Sequence, residues 1–312
     1  MIKILPEIQH QITFLVGPTA IGKTDIACDL AEKLNAEIVS CDSMQVYKGM
    51  DILSSKPPKV LRKKLRHHLI DIIPATQEYN VSRYRHDALR SIKRILKKGK
   101  VPLFVGGTGL YMSILIDGIF NLKAKNKDIR AKLSQKAQNL GSHYLHERLK
   151  KVDPQAASKI HPNDTKRIIR ALEVFQISGQ PISKLQNVRH GLAAKFDINI
   201  FCLNMERHKL YQRIEKRVDK MFSQGLLQEV KQLLKLKLSQ TARFAIGIRE
   251  LKGYFEGRYG VDEAKRLIKK NTKLYAKRQL TWFRKDKRIK WIKVSDNEKP
   301  KEVSERIWKE LY

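Results

Sequence analysis

Acidic residues are scarce in this chain. Its 312 residues hold 31 Asp and Glu against 64 Lys and Arg, a formal charge of +33. A surface so one-sided repels itself, and the usual reason to keep it is a polyanionic partner. The charge is also concentrated: twelve Lys or Arg and a single acid, Asp286, lie between Lys265 and Lys290, and residues 56–66 carry six basic side chains and no acid. Nucleic acid is therefore the expected partner. Cysteine is scarce too. Cys28, Cys41 and Cys202 form no C-x-x-C pair and leave an odd number, which argues against a disulfide framework or a structural zinc and for a reduced, cytoplasmic setting. No stretch approaches the eighteen or so uninterrupted apolar residues of a membrane span. Residues 1–10 lack the basic start and small-residue cleavage site of a secretory leader, so no membrane partner is expected.

What the chain does carry is Gly17-Pro18-Thr19-Ala20-Ile21-Gly22-Lys23-Thr24, a complete G-x-x-x-x-G-K-T phosphate loop. An apolar strand-like run, residues 12–16, precedes it and a helix-like stretch, residues 25–34, follows, which is the context that gives the motif meaning. Glycines let backbone N–H groups close around a di- or triphosphate, and the helix start adds partial positive charge. Lys23 can neutralise phosphate oxygens and the Thr24 hydroxyl can hold Mg²⁺. The chain is expected to bind a polyphosphate.

Strand-like and helix-like runs alternate through the first third: residues 12–16, 25–34, 37–41, 87–98 and 101–105. That rhythm predicts an α/β fold, a parallel sheet of the phosphate-loop type flanked by helices. The ligand crevice should lie beyond the C-terminal strand ends, where the phosphate loop, Asp42 and the Gly106-Gly107-Thr108-Gly109 turn converge. Residues 121–194 are polar, basic and helical, and read as an insertion. There Asn163 and Asp164 can cap a helix whose Ile168, Leu172 and Phe175 lie on one face and which ends near Gly179. Residues 1–120 and 195–312 would then form the core, with a strand at 196–203 and a long basic helix through Arg213 and Arg217. Within residues 264–283, Ala264, Leu267, Ile268, Asn271, Leu274, Tyr275, Arg278 and Trp282 recur at helical spacing, predicting one face that Asn271 and Arg278 interrupt.

A phosphate loop alone most often announces an NTP-hydrolysing protein or a kinase, which commonly ends a later strand in a metal-binding Asp. Here Val101-Pro102-Leu103-Phe104-Val105 runs into glycine with no acid at its tip. The acid sits instead at Asp42, at the end of the run Ile38-Val39-Ser40-Cys41. A carboxylate there can take a proton from an attacking amine or hydroxyl, hold Mg²⁺ through water, or simply close a turn. A small-molecule or nucleotide kinase is the alternative reading that these residues leave open.

Several blocks, in order, resemble those of the tRNA dimethylallyltransferases of bacterial type. Residues 17–24 are similar to that family's GPTASGKT, and residues 42–51, DSMQVYKGMD, to its most diagnostic block. Further similarities are HHLIDI at 67–72, VGGTGLY at 105–111, IHPND at 160–164, RALEV at 170–174 and AKRQLTWFR at 276–284. The resemblance implies transfer of a dimethylallyl group from its diphosphate to N6 of the adenine at tRNA position 37, in tRNAs reading codons that begin with U. Mg²⁺ would be the cofactor, tRNA and dimethylallyl diphosphate the partners, and no obligate protein partner is expected.

Carried onto this chain, the resemblance makes Asp42 the base, places Thr108 beside the reacting amine, and has Lys23 and Arg217 stabilise the leaving diphosphate. Residues 17–24 with Arg213 and Arg217 would hold the diphosphate, Arg217 being favoured of that pair, and Thr24 and Asp42 the metal. The tRNA would meet Asp42, Ser43, Met44, Gln45, Thr108, Arg130, Lys166, Arg167, Ile168, Ile169, Arg170, Arg243, Gly247, Arg249, Lys277, Arg278 and Gln279, with the adenine flipped into a channel between core and insertion. Three departures stand out. Ile21 replaces the family's usual Ser, Leu53-Ser54-Ser55 replaces Gly-Thr-Ala, and Ile248 stands where Tyr is common.

Overall fold

The computed structural model describes residues 11–119, 126–187 and 190–312. The leader question at residues 1–10 and the expected boundary at 120/121 fall outside the described residues. In chain order the elements are β1 (Gln11–Val16), α1 (Lys23–Lys33), β2 (Ala36–Cys41), α2 (Lys59–Lys64), β3 (His67–His68), α3 (Val81–Leu96), β4 (Val101–Gly106), α4 (Gly109–Asp117), α5 (Lys127–Val152), α6 (Pro154–Lys159), α7 (Thr165–Ser178) and α8 (Ile182–Asn187). There follow β5 (Asp197–Asn204), α9 (Arg207–Ser223), α10 (Leu226–Leu234), α11 (Ile248–Phe255), α12 (Val261–Phe283), β6 (Lys290–Lys293) and α13 (Pro300–Lys309). Two compact units result, one from Met1–Ile116 with Lys195–Tyr312, the other from Asp117–Ala194.

The first unit is built on a six-stranded parallel sheet of order β3-β2-β4-β1-β5-β6. β2 is buried throughout and β1 is buried after Gln11, which is why both read as near-continuous apolar runs and not as alternating ones. Val16 stands opposite Gly106 on one side and Cys202 on the other. Since β2 lies beyond β4 while β5 lies on the far side of β1, the winding reverses between β1 and β4. A crevice opens at such a reversal, beyond the strand ends. On the sheet, Phe14 stacks on Phe104 with ring centroids 4.7 Å apart. Leu15 and Leu103 share one core cluster with Ile26 and Leu30 of α1 and Val303 and Ile307 of α13.

Several boundaries differ from the sequence pattern for physical reasons. α3 begins six residues before the pattern's start at 87, because the Asn80 side chain caps the Arg83 amide at 3.0 Å and starts a helix whose first turn is mostly polar. β3 is too short to show a period. β6 is a lysine-flanked edge strand with one buried side chain, Ile292, the composition by which edges resist further pairing. On α12 the buried stripe runs through Ala264, Ile268, Ala276, Gln279 and Phe283, while Leu274 is 43% exposed. The expected face through Leu274 is thus corrected. Alanine and glutamine carry little hydrophobic signal, yet they are what fits close against the loops.

The second unit packs Leu133, Leu145, Leu149, Ile168, Leu172 and Val174 into its own core. α7 starts where Asp164 accepts the Arg167 amide at 3.2 Å and ends at Gly179 in the left-handed region, φ 67°. α5 is interrupted at Gly141 (φ 82°, ψ 162°). Within this core the fully buried Glu173 takes a two-pronged bond from Arg130 at 2.9 and 2.8 Å and a third from Arg170 at 2.7 Å. Burial pushes its carboxyl upward, but the two guanidiniums outweigh that and hold it below the usual carboxylate range.

Close approach explains the glycine run after β4. A Cβ on Gly106 would overlap the Cys41 carbonyl oxygen, one on Gly107 the Gln279 amide, and one on Gly109 the Trp282 ring. Replacing Gly106 by Ala is expected to destabilise the fold by about 3 kcal/mol or more, since rigid backbone must move. Urea unfolding of Gly106→Ala checks this, and an unchanged midpoint would contradict the stated packing.

Candidate active site

A crevice of about 700 Å³ opens in the first unit at the reversal point, lined at one end by Thr19, Gly22, Lys23, Thr24 and Asp25. The loop gets its shape from Gly17 (φ 149°), where a Cβ would press on the Leu203 carbonyl at 3.0 Å, and from the left-handed Ala20 (φ 67°) and Gly22 (φ 94°). Ile21 is buried in the core, so the departure at this position places a side chain away from any ligand. Gly22 is the N-cap of α1, directing the first amides of that helix at the crevice.

Two cations meet at this end. Lys23 folds back over its own loop, its Nζ donating to the carbonyls of Gly17 at 3.0 Å and Pro18 at 2.7 Å. Burial, and secondarily repulsion from Arg217, lower its pKa to about 8, while Asp42 acts in the opposite sense. Arg217 of α9 donates from Nε to Ser55 Oγ at 2.9 Å and from Nη1 to Thr19 Oγ1 at 2.8 Å. Arg213, one turn earlier, is the other expected diphosphate ligand, and its Nη1 would lie 3.9 Å from a Cβ on Gly22 of the loop. Its guanidinium is taken by Asp296, at 3.1 Å from the carboxylate and 3.0 Å from the backbone carbonyl.

Asp42 follows β2 directly and lines the crevice with Ser43, Met44 and Gln45. Its Oδ1 accepts the amides of Met44 at 2.8 Å and Gln45 at 3.4 Å, so the carboxylate closes a turn as well as facing the crevice. Thr108 joins the two strand ends: its amide donates to Cys41 O at 3.1 Å and its Oγ1 accepts the Ser43 amide at 3.2 Å. Tyr275 of α12 also lines the crevice. Burial, with the Asp42 charge adding to it, pushes the Tyr275 hydroxyl far up, so it stays a proton donor. His67 also lines the crevice, its Nδ1 2.7 Å from Leu65 O, and burial lowers its pKa first of all.

Gln279, expected against tRNA, lines the crevice and is buried. Its Oε1 accepts the Thr19 amide at 2.9 Å and its Nε2 donates to Gly107 O at 2.9 Å, a bridge from the phosphate loop to the turn after β4. Two other expected tRNA residues are likewise buried. Ile168 fills the second unit's core, where an apolar side chain belongs. Gly247 (φ 108°) starts α11 with its amide on Glu250 at 2.8 Å. Arg130 and Arg170 spend donors on Glu173, Arg167 pairs with Asp164 at 3.3 Å, and Ile169 and Lys166 are on the same helix α7. Arg243, Arg249, Lys277 and Arg278 are exposed; Arg243 Nε caps Leu238 O at 2.9 Å and Arg278 lies 5.9 Å over the Tyr275 ring.

The crevice lining also holds apolar side chains, Leu53, Val218, Met221, Ile246 and Ile268. Hard oxygen donors are few. Thr24, Asp25 and Asp42 line the space, and no group of three or more His, Cys, Asp or Glu suited to a metal occurs among the described residues. So sparse a set suits Mg²⁺, which keeps water and takes much of its shell from substrate phosphates. Sequence reasoning missed Ser55, Tyr275 and His67. Each had left a trace without a role: Ser55 as a departure next to the DSMQVYKGMD block, Tyr275 on the helical face of residues 264–283, and His67 in the HHLIDI block.

Comparison with known proteins places this geometry. The family model described as IPP transferase matches residues 45–286. A tRNA dimethylallyltransferase of Carboxydothermus hydrogenoformans is 46% identical over 300 residues, 96% of each chain, and one of Natranaerobius thermophilus is 45% identical over 94% of this chain and 89% of its own. The crystal structure of the full-length tRNA isopentenylpyrophosphate transferase from Bacillus halodurans is similar at TM-score 0.70 and 36% identity, covering 97% of both chains. A eukaryotic dimethylallyltransferase captured acting on tRNA is similar at TM-score 0.79 and 29% identity, over 92% of this chain and 74% of that one. No helix among the described residues is long and apolar enough to cross a membrane.

The lowered pKa of Lys23 has a measurable consequence. A bound diphosphate restores the charged form, so above about pH 8 binding takes up a proton and affinity falls by up to tenfold per pH unit toward the ordinary lysine value near 10.5. In the same window the unfolded chain holds more protons than the fold, so the ligand-free protein gains stability as affinity is lost. Calorimetry with a diphosphate monoester, whose own last ionisation is near pH 6, should show both trends. An affinity flat from pH 7 to 10 would contradict the assignment.

Proposed function

This chain belongs to the IPP transferase family, and from that premise we propose that it transfers a dimethylallyl group from dimethylallyl diphosphate to N6 of the adenine at tRNA position 37, in tRNAs reading codons that begin with U. The observation that carries the reading is the make-up of one crevice: phosphate-loop residues, apolar side chains and Asp42 line it together, and β4 has no acid at its tip. A nucleotide-hydrolysing site wants a metal-binding carboxylate there; a prenyl diphosphate wants a greasy extension beyond its phosphates.

The residues then divide the work. Lys23, Arg217 and the amides of residues 17–24 hold the diphosphate, and Leu53, Met221 and Ile268 receive the isoprenoid. Adenine N6 is a poor nucleophile because its lone pair is delocalised into the ring. As N6 bonds to the first prenyl carbon, Asp42 takes the N6 proton, with Thr108 beside the amine, and the C–O bond breaks toward diphosphate. Growing charge on the leaving group meets two desolvated cations, where such stabilisation is strongest. Mg²⁺, held by Thr24 and Asp42, would neutralise further phosphate charge. A stacked base cannot reach this depth, so the adenine is flipped out of the anticodon loop, and Ser43 and Gln45, which line the crevice, would read its edge. Exposed Arg243, Arg249, Lys277 and Arg278, with Lys166 and Arg167 of the second unit, supply phosphate contacts of the kind that position RNA without reading it. A cytoplasmic site of action follows from the substrate.

Incubation with tRNA and either labelled dimethylallyl diphosphate or labelled ATP tests the reading; prenylated adenosine is the expected product, and ATP turnover without it would favour a kinase. Asp42→Asn should slow transfer by roughly two to four orders of magnitude, the usual worth of a positioned base, with tRNA affinity nearly unchanged. Equal losses in binding and rate would remove Asp42 from the proton transfer.

A further inference from the structure

Ser55 occupies a backbone conformation that favours glycine, φ 47°, in the loop between β2 and α2. Left-handed non-glycine residues are uncommon outside Asn and Asp, and a retained side chain at such a place asks for a use. The use is visible. Ser55 Oγ approaches the Ile52 carbonyl at 3.4 Å as donor and accepts Arg217 Nε at 2.9 Å. The loop that presents it is itself pinned: both oxygens of Glu229 on α10 accept backbone amides, Asp51 at 2.9 Å, Ile52 at 2.8 Å and Leu53 at 2.8 Å. Three amide donors on one carboxylate leave that segment little freedom.

A guanidinium has five N–H donors in a rigid plane. With Nε on Ser55 and one Nη1 hydrogen on Thr19, the plane of Arg217 is fixed at two points, both on residues that line the crevice. The three remaining N–H groups then have a set direction before any anion arrives. Pre-set donors bind and stabilise charge better than donors that must first be ordered. We propose that Ser55 is a positioning residue, holding Arg217 in the orientation that receives the diphosphate. This rests on the reading of Arg217 as a diphosphate ligand. The neighbouring departures from the family pattern, Leu53 and Ser54, line the same crevice, so the three-residue substitution bears on the site as a unit.

The test is a double-mutant cycle with Ser55→Gly, Ser55→Ala and Arg217→Lys, read by transfer kinetics, by calorimetric binding of inorganic diphosphate and by thermal unfolding. Ser55→Gly is expected to lower kcat/KM for dimethylallyl diphosphate, and the affinity for inorganic diphosphate, about tenfold, as loss of one charge-assisted bond allows. Its unfolding temperature should not fall, because glycine relieves the positive φ, and KM for tRNA should stay within about twofold. Ser55→Ala should show the same binding loss with the backbone strain retained. In the Arg217→Lys background the Ser55 effect should shrink to within about twofold, since coupled partners are not additive. An unaltered diphosphate affinity in Ser55→Gly, or an equal loss with and without Arg217, would overturn the proposal. Failure of the wild-type protein to prenylate tRNA while diphosphate binding still responds to Ser55 would instead count against the activity alone.

Discussion

One buried side chain amide fastens the working parts together. Gln279 accepts from the phosphate loop at Thr19 and donates to the turn after β4 at Gly107, both at 2.9 Å. The two loops leave adjacent strands, β1 and β4, at the point where the sheet's winding reverses, and neither has a regular structure to hold it. Without the bridge their spacing would depend on the strands alone. With it, the distance from phosphate loop to the Gly107-Thr108 turn, and through Thr108 to Ser43 and Asp42, is set by a chain of hydrogen bonds that begins on α12. A buried amide with both ends satisfied is worth little as net stability but a great deal as geometry.

That geometry permits an arrangement that is otherwise unfavourable. Lys23 and Arg217 are close enough to repel each other, and both lose solvent in the crevice. Carbonyls of Gly17 and Pro18 hold the ammonium and hydroxyls of Ser55 and Thr19 hold the guanidinium. Neutral oxygens satisfy hydrogen bonds without cancelling charge, so the cations keep their attraction for an anion. Arg213 shows the contrast: its guanidinium is paired with a carboxylate, Asp296. The same contrast runs through the second unit, where Arg130 and Arg170 surround a buried glutamate and serve its packing first.

Much of this was legible in the sequence, and the limits have physical causes. The apolar runs of β1, β2 and β4 announce a parallel sheet because such strands are covered on both faces, and the phosphate loop and Asp42 fall at their ends as the topology requires. Leu274 and Gln279 on α12 mark where periodicity fails: it reports hydrophobicity, whereas a site helix buries whatever its loops need. β6 is hidden by its lysines. Ile168 and Gly247 were assigned outward by resemblance, yet a residue shared by relatives can be retained for packing as readily as for contact. Ser55 carried no motif at all; its left-handed backbone and its bond to Arg217 exist only in three dimensions.

The central claim is that the loop around Lys23 grips the diphosphate of a prenyl donor with its first carbon turned toward Asp42. A crystal structure with a non-reactive dimethylallyl diphosphate analogue tests it most directly. Phosphate oxygens within hydrogen-bonding distance of Lys23 Nζ and Arg217, with the Gln279 bridge intact and the hydrocarbon against Leu53 and Met221, is the expected result. Phosphates bound away from residues 22–24, or a donor whose carbon end points away from Asp42, would contradict the account.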